Sequence, residues 1–511
     1  MAPLAAESFI GSDLRARLAL LQCAAALALA TVTFISKSLD VSILTPTIGL
    51  AWSSALSAPF VLAGFTSCGA GIVLAVTARR STVLRSLELT LAMLLLGSII
   101  ATTHATGRLE GRAALLAFSA MHQAGGAAWI GALPYFLLAL GGSMAPATRV
   151  AIAHRFSTVC VIAVSAIAIS AAAKYLWYLA APAALYGTAN GLMASTKALL
   201  FAALLCFGAG NFWAVRRMAT DAGAAIRIRR FVEVEMVLGL AIYLVAGSLT
   251  SLPPVVDLPN DRVAFERITD RITPHAPRLS SPAHSELWYA TEQERVNRLA
   301  QAAHENAPRA FVPSAGIVPV RTAADIGWSE FNHNWSGIFV LSIGNLALLA
   351  GQRRGSWARH WPITFVALGI FVTARSDPEA WPLGSVGFFE AMRDPSVIQH
   401  RLMAILACVF GFFEWQVRIG KLAANRAAYV FPITNIVGGF MLLTHAHNLE
   451  NIQEALLIEL SHIPLGLFAI MAGCARWMEL RCEGPISVRA GRIWPWCFVA
   501  VGLILLFYRE S

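Results

Sequence analysis

The sequence predicts an all-α fold: a polytopic integral membrane helical bundle of about 13 transmembrane helices, interrupted by one long extramembrane segment. Three observations carry this prediction. First, 57% of the 511 residues are apolar and only 13% are charged, against roughly a quarter charged in soluble domains. Second, the apolar residues gather into stretches of membrane-spanning length. Third, the Arg and Lys residues lie between those stretches in an alternating pattern. The formal net charge of +10 is therefore spread over many short loops, which excludes nucleic-acid binding as its explanation. Eight cysteines are scattered with no C-x-x-C pair, so neither a disulfide scaffold nor a thiolate zinc site is expected.

A bilayer core about 30 Å thick needs ~20 mostly apolar residues per helix, and thirteen stretches qualify. They begin near Leu18, Ala58, Leu87, Ala113, Phe156, Lys197, Phe231, Asn334, Trp361, His400, Ala428, Glu454 and Ile493. The first follows Arg15 and Arg17 like a signal peptide, but its apolar run exceeds the usual ~7–15 residues, so it is read as a helix. Each even-numbered span exits into a basic loop: Arg79, Arg80 and Arg85; Arg149 and Arg155; Arg216, Arg217, Arg227, Arg229 and Arg230; Arg353, Arg354 and Arg359; Arg418, Lys421 and Arg426; Arg476, Arg481 and Arg489. The positive-inside rule then places the N-terminus in the cytoplasm and the C-terminus outside. Residues 253–332, opening with Pro253-Pro254 and carrying a charged stretch from Glu292 to Arg298, form an outer segment with some helix. The expected organisation is an N-terminal membrane half over 1–252, this segment over 253–332, and a C-terminal His-containing membrane half over 333–511. No internal repeat or low-complexity tract is visible.

This topology gives the twelve histidines a side. His104 ends span three at the outer face, and His122 lies about two turns into span four. His333 precedes span eight, His400 opens span ten, His445 and His447 close span eleven, and His462 lies about two turns into span twelve. These seven sit at or just below the outer surface. His275, His284 and His304 fall in the outer segment, leaving His154 and His360 for the cytoplasmic side. A single interfacial histidine is ordinarily a hydrogen-bonded helix terminus, but ionisable groups below a bilayer surface usually face a bundle interior or a wet cavity. Imidazole is also the commonest transition-metal ligand. Seven on one face point to a metal or haem role. His445 and His447, two residues apart, share one ion only if the helix frays there. Met121 adjoins His122, and thioether sulfur suits Cu(I), although methionine is also ordinary bundle filler.

Buried carboxylates add a second signal. Glu459 precedes His462 by three residues, which stacks carboxylate and imidazole on one helix face, so Glu459 is expected to orient the ring or relay protons. Glu454 lies beside it at the start of span twelve. Glu235 and Glu414 lie near the cytoplasmic side, where pairing with neighbouring Arg residues is expected.

The stretch Thr103-His104-Ala105, followed by Met121-His122 and Trp129-Ile130-Gly131-Ala132-Leu133, resembles the copper resistance protein D family. Its members carry a His followed seven residues later by Trp and a glycine pair; here Ala132 stands in place of the second glycine. Arg155-Phe156-Ser157, Tyr186-Gly187, Lys197, Asn211, Arg230 to Glu235 and Pro253-Pro254 extend the likeness over roughly residues 85 to 255. The blocks Glu330-Phe331-Asn332-His333-Asn334-Trp335 and Glu459-Leu460-Ser461-His462-Ile463-Pro464 look like the second half of long members of the same family. The resemblance implies a multi-pass protein of the bacterial inner membrane that handles copper, moving it from periplasm toward cytoplasm alongside a periplasmic copper-binding partner. The long outer segment then lies in the periplasm.

The expected function is capture of a copper ion by His104 and His122 with Met121, joined by His333, His400, His445, His447 and His462. One alternative is a haem b electron-transfer protein in which two facing histidines clamp an iron. Another is a metal-delivery or assembly factor that docks a partner through the outer segment at Trp288 and Tyr289. No nucleophile elbow, H-E-x-x-H pair, Walker motif or dinucleotide fingerprint is present, so no enzyme activity is expected.

Overall fold

A computed structural model describes residues 12–78, 85–142, 144–179, 181–221, 223–257, 262–287, 322–352, 355–384, 386–444 and 452–510. Among these the long helices are α1 (Ser12–Ile48), α2 (Pro59–Thr77), α3 (Arg85–Ala101), α4 (Arg112–Trp129), α5 (Leu133–Gly141), α6 (Pro146–Tyr178), α7 (Ala189–Arg216) and α8 (Ala224–Ser251). They continue with α9 (Phe265–Ile272), α10 (Ala323–Ala350), α11 (Ile363–Arg375), α12 (Pro395–Arg418), α13 (Val430–Leu443), α14 (Ile452–Arg481) and α15 (Gly484–Leu506). No strand occurs among the described residues; a single isolated bridge joins Ala380 and Val386. Among the described residues nine helices are long and apolar enough to cross a membrane, and three shorter apolar ones correspond to α3, α11 and α13. With α10, a helix stands at each of the thirteen expected positions. The protein is an all-α polytopic membrane protein.

Several helices begin before the expected start of their span for one reason, that they continue beyond their apolar part; α6 begins at Pro146 and not Phe156, and α7 at Ala189 and not Lys197. The eighth span was expected from Asn334, but α10 begins at Ala323, where Thr322 and Asp325 form a capping box that satisfies the first backbone N–H groups. The last was expected from Ile493, but α15 begins at Gly484 and carries Arg489 and Arg492 on its early turns. Within residues 253–332, α9 and the short turns Val255–Asp257 and His284–Glu286 are helical. The charged stretch Glu292 to Arg298, with Trp288, Tyr289 and His304, lies outside the described residues.

The chain forms two compact units. Of the described residues, the first holds those within 12–179 and 202–239, and the second those within 181–201, 240–287 and 322–510. In the first, α1 packs on α2 and α4 on α6. A Cβ on Gly125 would lie 2.9 Å from the Ala163 carbonyl oxygen, so only glycine lets α4 and α6 approach this closely. In the second unit α10 packs on α15, α13 on α14 and α11 on α12. Cβ atoms on Gly344 and Gly502 would meet the backbone nitrogens of Val499 and Leu341 at 2.7 and 2.5 Å, so α10 and α15 touch backbone to backbone. One end of this unit is filled by Trp361, Phe365, Phe410, Phe431, Trp494 and Phe498. The alternating helix directions carry the starts of α10, α12 and α14 and the ends of α11, α13 and α15 to the opposite end, where the polar residues collect.

Candidate functional site

In the first unit, His122 lies half-buried on α4, and its Nδ1 is 3.0 Å from the Ser170 hydroxyl on α6. Ser170 donates its own proton to the Ala166 carbonyl at 2.7 Å. It therefore accepts from His122, which places the ring proton on Nδ1 and the lone pair on Nε2. Met121 beside it is half-buried. His104 is exposed at the start of the short turn His104–Gly107 that follows α3. Beyond Trp129, itself buried, the helix tightens over Ile130–Ala132 before α5 continues.

In the second unit three of the expected histidines repeat this form. His333 Nδ1 donates to the Ser329 carbonyl at 2.8 Å, and His462 Nδ1 to the Ile458 carbonyl at 2.9 Å. His400 Nδ1 donates to the Asp377 carboxylate at 2.7 Å. Anchoring through Nδ1 is the arrangement found where outer partners fix metal-binding imidazoles. His333 and His462 face one another with ring centres 5.9 Å apart and planes at 85°. The Tyr508 ring stacks on His333 at 3.9 Å. Two histidines outside the expected set are built differently. His284 donates through Nε2 to the Pro378 carbonyl, and His360 Nδ1 accepts from the Trp415 indole. His275, exposed, bonds the Thr273 carbonyl through Nδ1 and lies against Arg509.

A polar layer surrounds the facing pair. Arg271 of α9, 5% exposed, donates to the Leu457 carbonyl and to the Tyr508 hydroxyl at 2.9 Å, and its guanidinium sits over the Tyr508 ring. The Tyr508 hydroxyl is 3.4 Å from Glu510. Asn334 donates to the Leu505 and Tyr508 carbonyls, closing the end of α15, and accepts from the Arg278 backbone. Glu330 pairs with Arg278. Between α11 and α12, burial alone would raise the Asp377 carboxyl, but the His400 hydrogen bond and charge, with help from Ser376 and Arg401, hold it below the usual carboxylate range. Burial pushes neighbouring Glu379 the other way, upward, and the charges of Asp377 and Asp394 add to it.

Glu459 is buried, and its Oε2 has no hydrogen-bond partner among the described residues; the His462 Nδ1 is turned instead to the Ile458 carbonyl and the Ser461 hydroxyl. His445 and His447 lie outside the described residues, and nothing is described of the Glu454 side chain. Among the described residues no group of three or more His, Cys, Asp and Glu side chains is placed to hold a metal ion. The expected cluster is thus an exposed His104 and an anchored His122 in one unit, and a facing pair with nearby His400 in the other. The expectation that Glu414 pairs with an arginine holds, through Arg418 at 2.6 Å. For Glu235 it does not: its partner is Asn211 of α7 at 2.9 Å, while Arg230 pairs with Glu233. Helix periodicity turns Glu235 inward, away from the arginines at the start of α8. Sequence reasoning missed Tyr508, Arg271, Asp377 and Ser170, each contributed by an element distant in sequence.

Fold and site together define a polytopic helical membrane protein with anchored imidazoles near helix ends. Residues 150–249, covering most of α6, all of α7 and most of α8, match the family model described as copper resistance protein D. Over that segment, about a fifth of the 511 residues, the chain is similar to the copper resistance protein D family. The matched segment holds the Asn211–Glu235 pair and does not reach His104, Met121 or His122. No curated protein and no solved structure matches the chain.

Proposed function

We propose that this chain handles copper at the bacterial inner membrane, taking the ion at the periplasmic side and passing it toward the cytoplasm. The carrying observation is the shared form of His122, His333, His400 and His462, whose rings are all anchored through Nδ1. The match of residues 150–249 to the copper resistance protein D family supports copper as the ion. In this reading the histidine-bearing helix ends face the periplasm, the N-terminus is cytoplasmic and the C-terminus periplasmic. His104 and Met121 assist His122, His445 and His447 add donors beside His400, and Glu459 acts as a buried proton acceptor. Copper arrives from a periplasmic copper-binding protein, and the chain is a carrier, not an enzyme.

The test is cellular copper content under copper-limited growth. Cells expressing the wild-type chain accumulate more copper than vector controls, and His122→Ala together with His333→Ala abolishes the difference. Equal copper in all three strains at equal expression overturns the transport reading.

A further inference from the structure

The core of the first unit holds a carboxyl group that the copper reading does not use. Glu235 of α8 is 2% exposed, and its Oε1 accepts from the Asn211 amide of α7 at 2.9 Å. The side chain lies over Gly208 of α7, where a Cβ would stand 3.8 Å from Oε1 and 3.6 Å from the Trp129 ring of α4. From α6, Cys160 is the titratable side chain within electrostatic reach of it; Asn211, Gly208 and Trp129, which face it from α7 and α4, do not titrate. Four helices thus close around one acid. The arginines nearest in sequence leave it alone: Arg229 and Arg230 pair with Glu233 on their own helix, and among the described residues Glu235 has no ion pair.

A buried carboxylate with no cation beside it carries a solvation cost that uptake of a proton removes. Asn211 suits both states of the acid. With the group ionised, Nδ2 donates to it, as observed. With the group protonated, the acid is itself a donor and needs an acceptor, which Asn211 Oδ1 supplies once the amide turns over. That oxygen is buried and has no hydrogen-bond partner among the described residues, so the turn breaks no bond on that side. An arginine or lysine in place of Asn211 would hold the ionised form alone.

Its position relative to His122 gives the proton a use. Ser170, which holds His122, and Cys160, which faces Glu235, both lie on α6. At 1.5 Å per residue their levels differ by about 15 Å. Between those levels α4 and α6 make their close contact, Gly125 against the Ala163 carbonyl and the Ile167 side chain. A cation that passes this contact arrives beside the acid. If the acid then becomes a carboxylate, each proton released offsets one positive charge brought into the unit.

We propose that Glu235 is the proton site of the first unit, releasing a proton outward as copper moves inward from His122 and taking one back once copper has left. This rests on the copper reading above and adds the ion that moves the other way.

The test uses the full-length chain reconstituted in lipid vesicles, as wild type, Glu235→Gln, Glu235→Asp and Asn211→Leu. Infrared absorption in the carboxylic-acid carbonyl region is followed from acid to alkaline pH without metal. The expected wild-type spectrum holds an acid band that fades as pH rises and that Glu235→Gln lacks at every pH. In Asn211→Leu the band moves to higher frequency, because the acid O–H has lost its acceptor. With a pH-sensitive dye enclosed, copper(I) added outside without oxygen turns the interior of wild-type vesicles alkaline, and Glu235→Gln abolishes that signal. Copper inside is measured after a chelator has removed the remainder outside. Identical infrared spectra for wild type and Glu235→Gln, or a Glu235 band that does not change with pH, overturn the proton site. Copper entry into wild-type vesicles with no rise in internal pH overturns the coupling. Absence of copper entry in wild type overturns the copper reading itself, while the infrared titration still decides whether Glu235 binds a proton. Should Glu235→Gln fail to fold, Glu235→Asp keeps an acid in place and shifts the same band; a band unmoved there counts against the proposal.

Discussion

Asn334→Ala tests whether the end of α15 is built to hold the polar layer in place. Asn334 is 2% exposed. Its amide donates to the Leu505 and Tyr508 carbonyls, both at 3.2 Å, and its oxygen accepts from the Arg278 N–H at 2.6 Å. Alanine leaves three backbone groups without these partners at a helix terminus that has no further turn to satisfy them. At about 1 kcal/mol for each lost bond, the expected loss is roughly 3 kcal/mol. For a unit of this size that lowers the unfolding midpoint by about 6–12 °C, taking roughly 2–4 °C per kcal/mol. The assay is thermal unfolding of the full chain in detergent, followed by tryptophan fluorescence. Asn345→Ala is the internal control, because its amide bonds only the Leu341 carbonyl of its own helix, at an exposed position; its expected shift is within about 2 °C, the range of a surface change. Equal midpoints for the two variants would refute the reasoning, since burial and reach across to α15 are all that separate them.

Four further outcomes are expected. Asp377→Asn weakens copper uptake about 10–100-fold in apparent affinity, because a neutral amide no longer holds the His400 proton on Nδ1; Asp377→Glu retains most of it, and identical uptake curves for wild type and Asn would contradict the assignment. Glu379 binds a proton more tightly in the folded chain, so stability falls as pH rises from the ordinary Glu value of about 4.3 through its raised value; Glu379→Gln flattens that slope in denaturation measured between acid and neutral pH. Gly344→Val places a side chain where a Cβ already meets the Val499 nitrogen at 2.7 Å, so α10 and α15 separate and the variant is recovered in low yield, whereas Gly97→Val, with open space around it, expresses normally. The absorption spectrum of the purified chain has no Soret band; a Soret band with a sharp reduced α band would replace copper with haem b.

The helices were legible in the sequence because hydrophobic run length is a strong signal when the solvent is lipid. Their ends were less so. Polar first turns such as Thr322 to Ser329 are helical through capping and packing, not hydropathy, so α10 starts well before its apolar part. That His333 and His462 lie toward the same end of the bundle followed from counting helix directions. Their anchoring did not, because a carbonyl four residues back is present for every helical histidine and only side-chain torsions decide whether it is used. His400 finds Asp377 across a loop, and Tyr508 finds Arg271 over 237 positions; no spacing rule connects such pairs. Glu235 was misassigned because adjacency in sequence favoured its arginine neighbours, while burial turned it toward Asn211.

Copper K-edge absorption spectroscopy of the copper(I)-loaded full chain addresses the central claim most directly. The account predicts nitrogen neighbours near 2 Å, with the outer-shell scattering of imidazole rings. A first shell made only of sulfur would move the ion to the cysteines and methionines and contradict it.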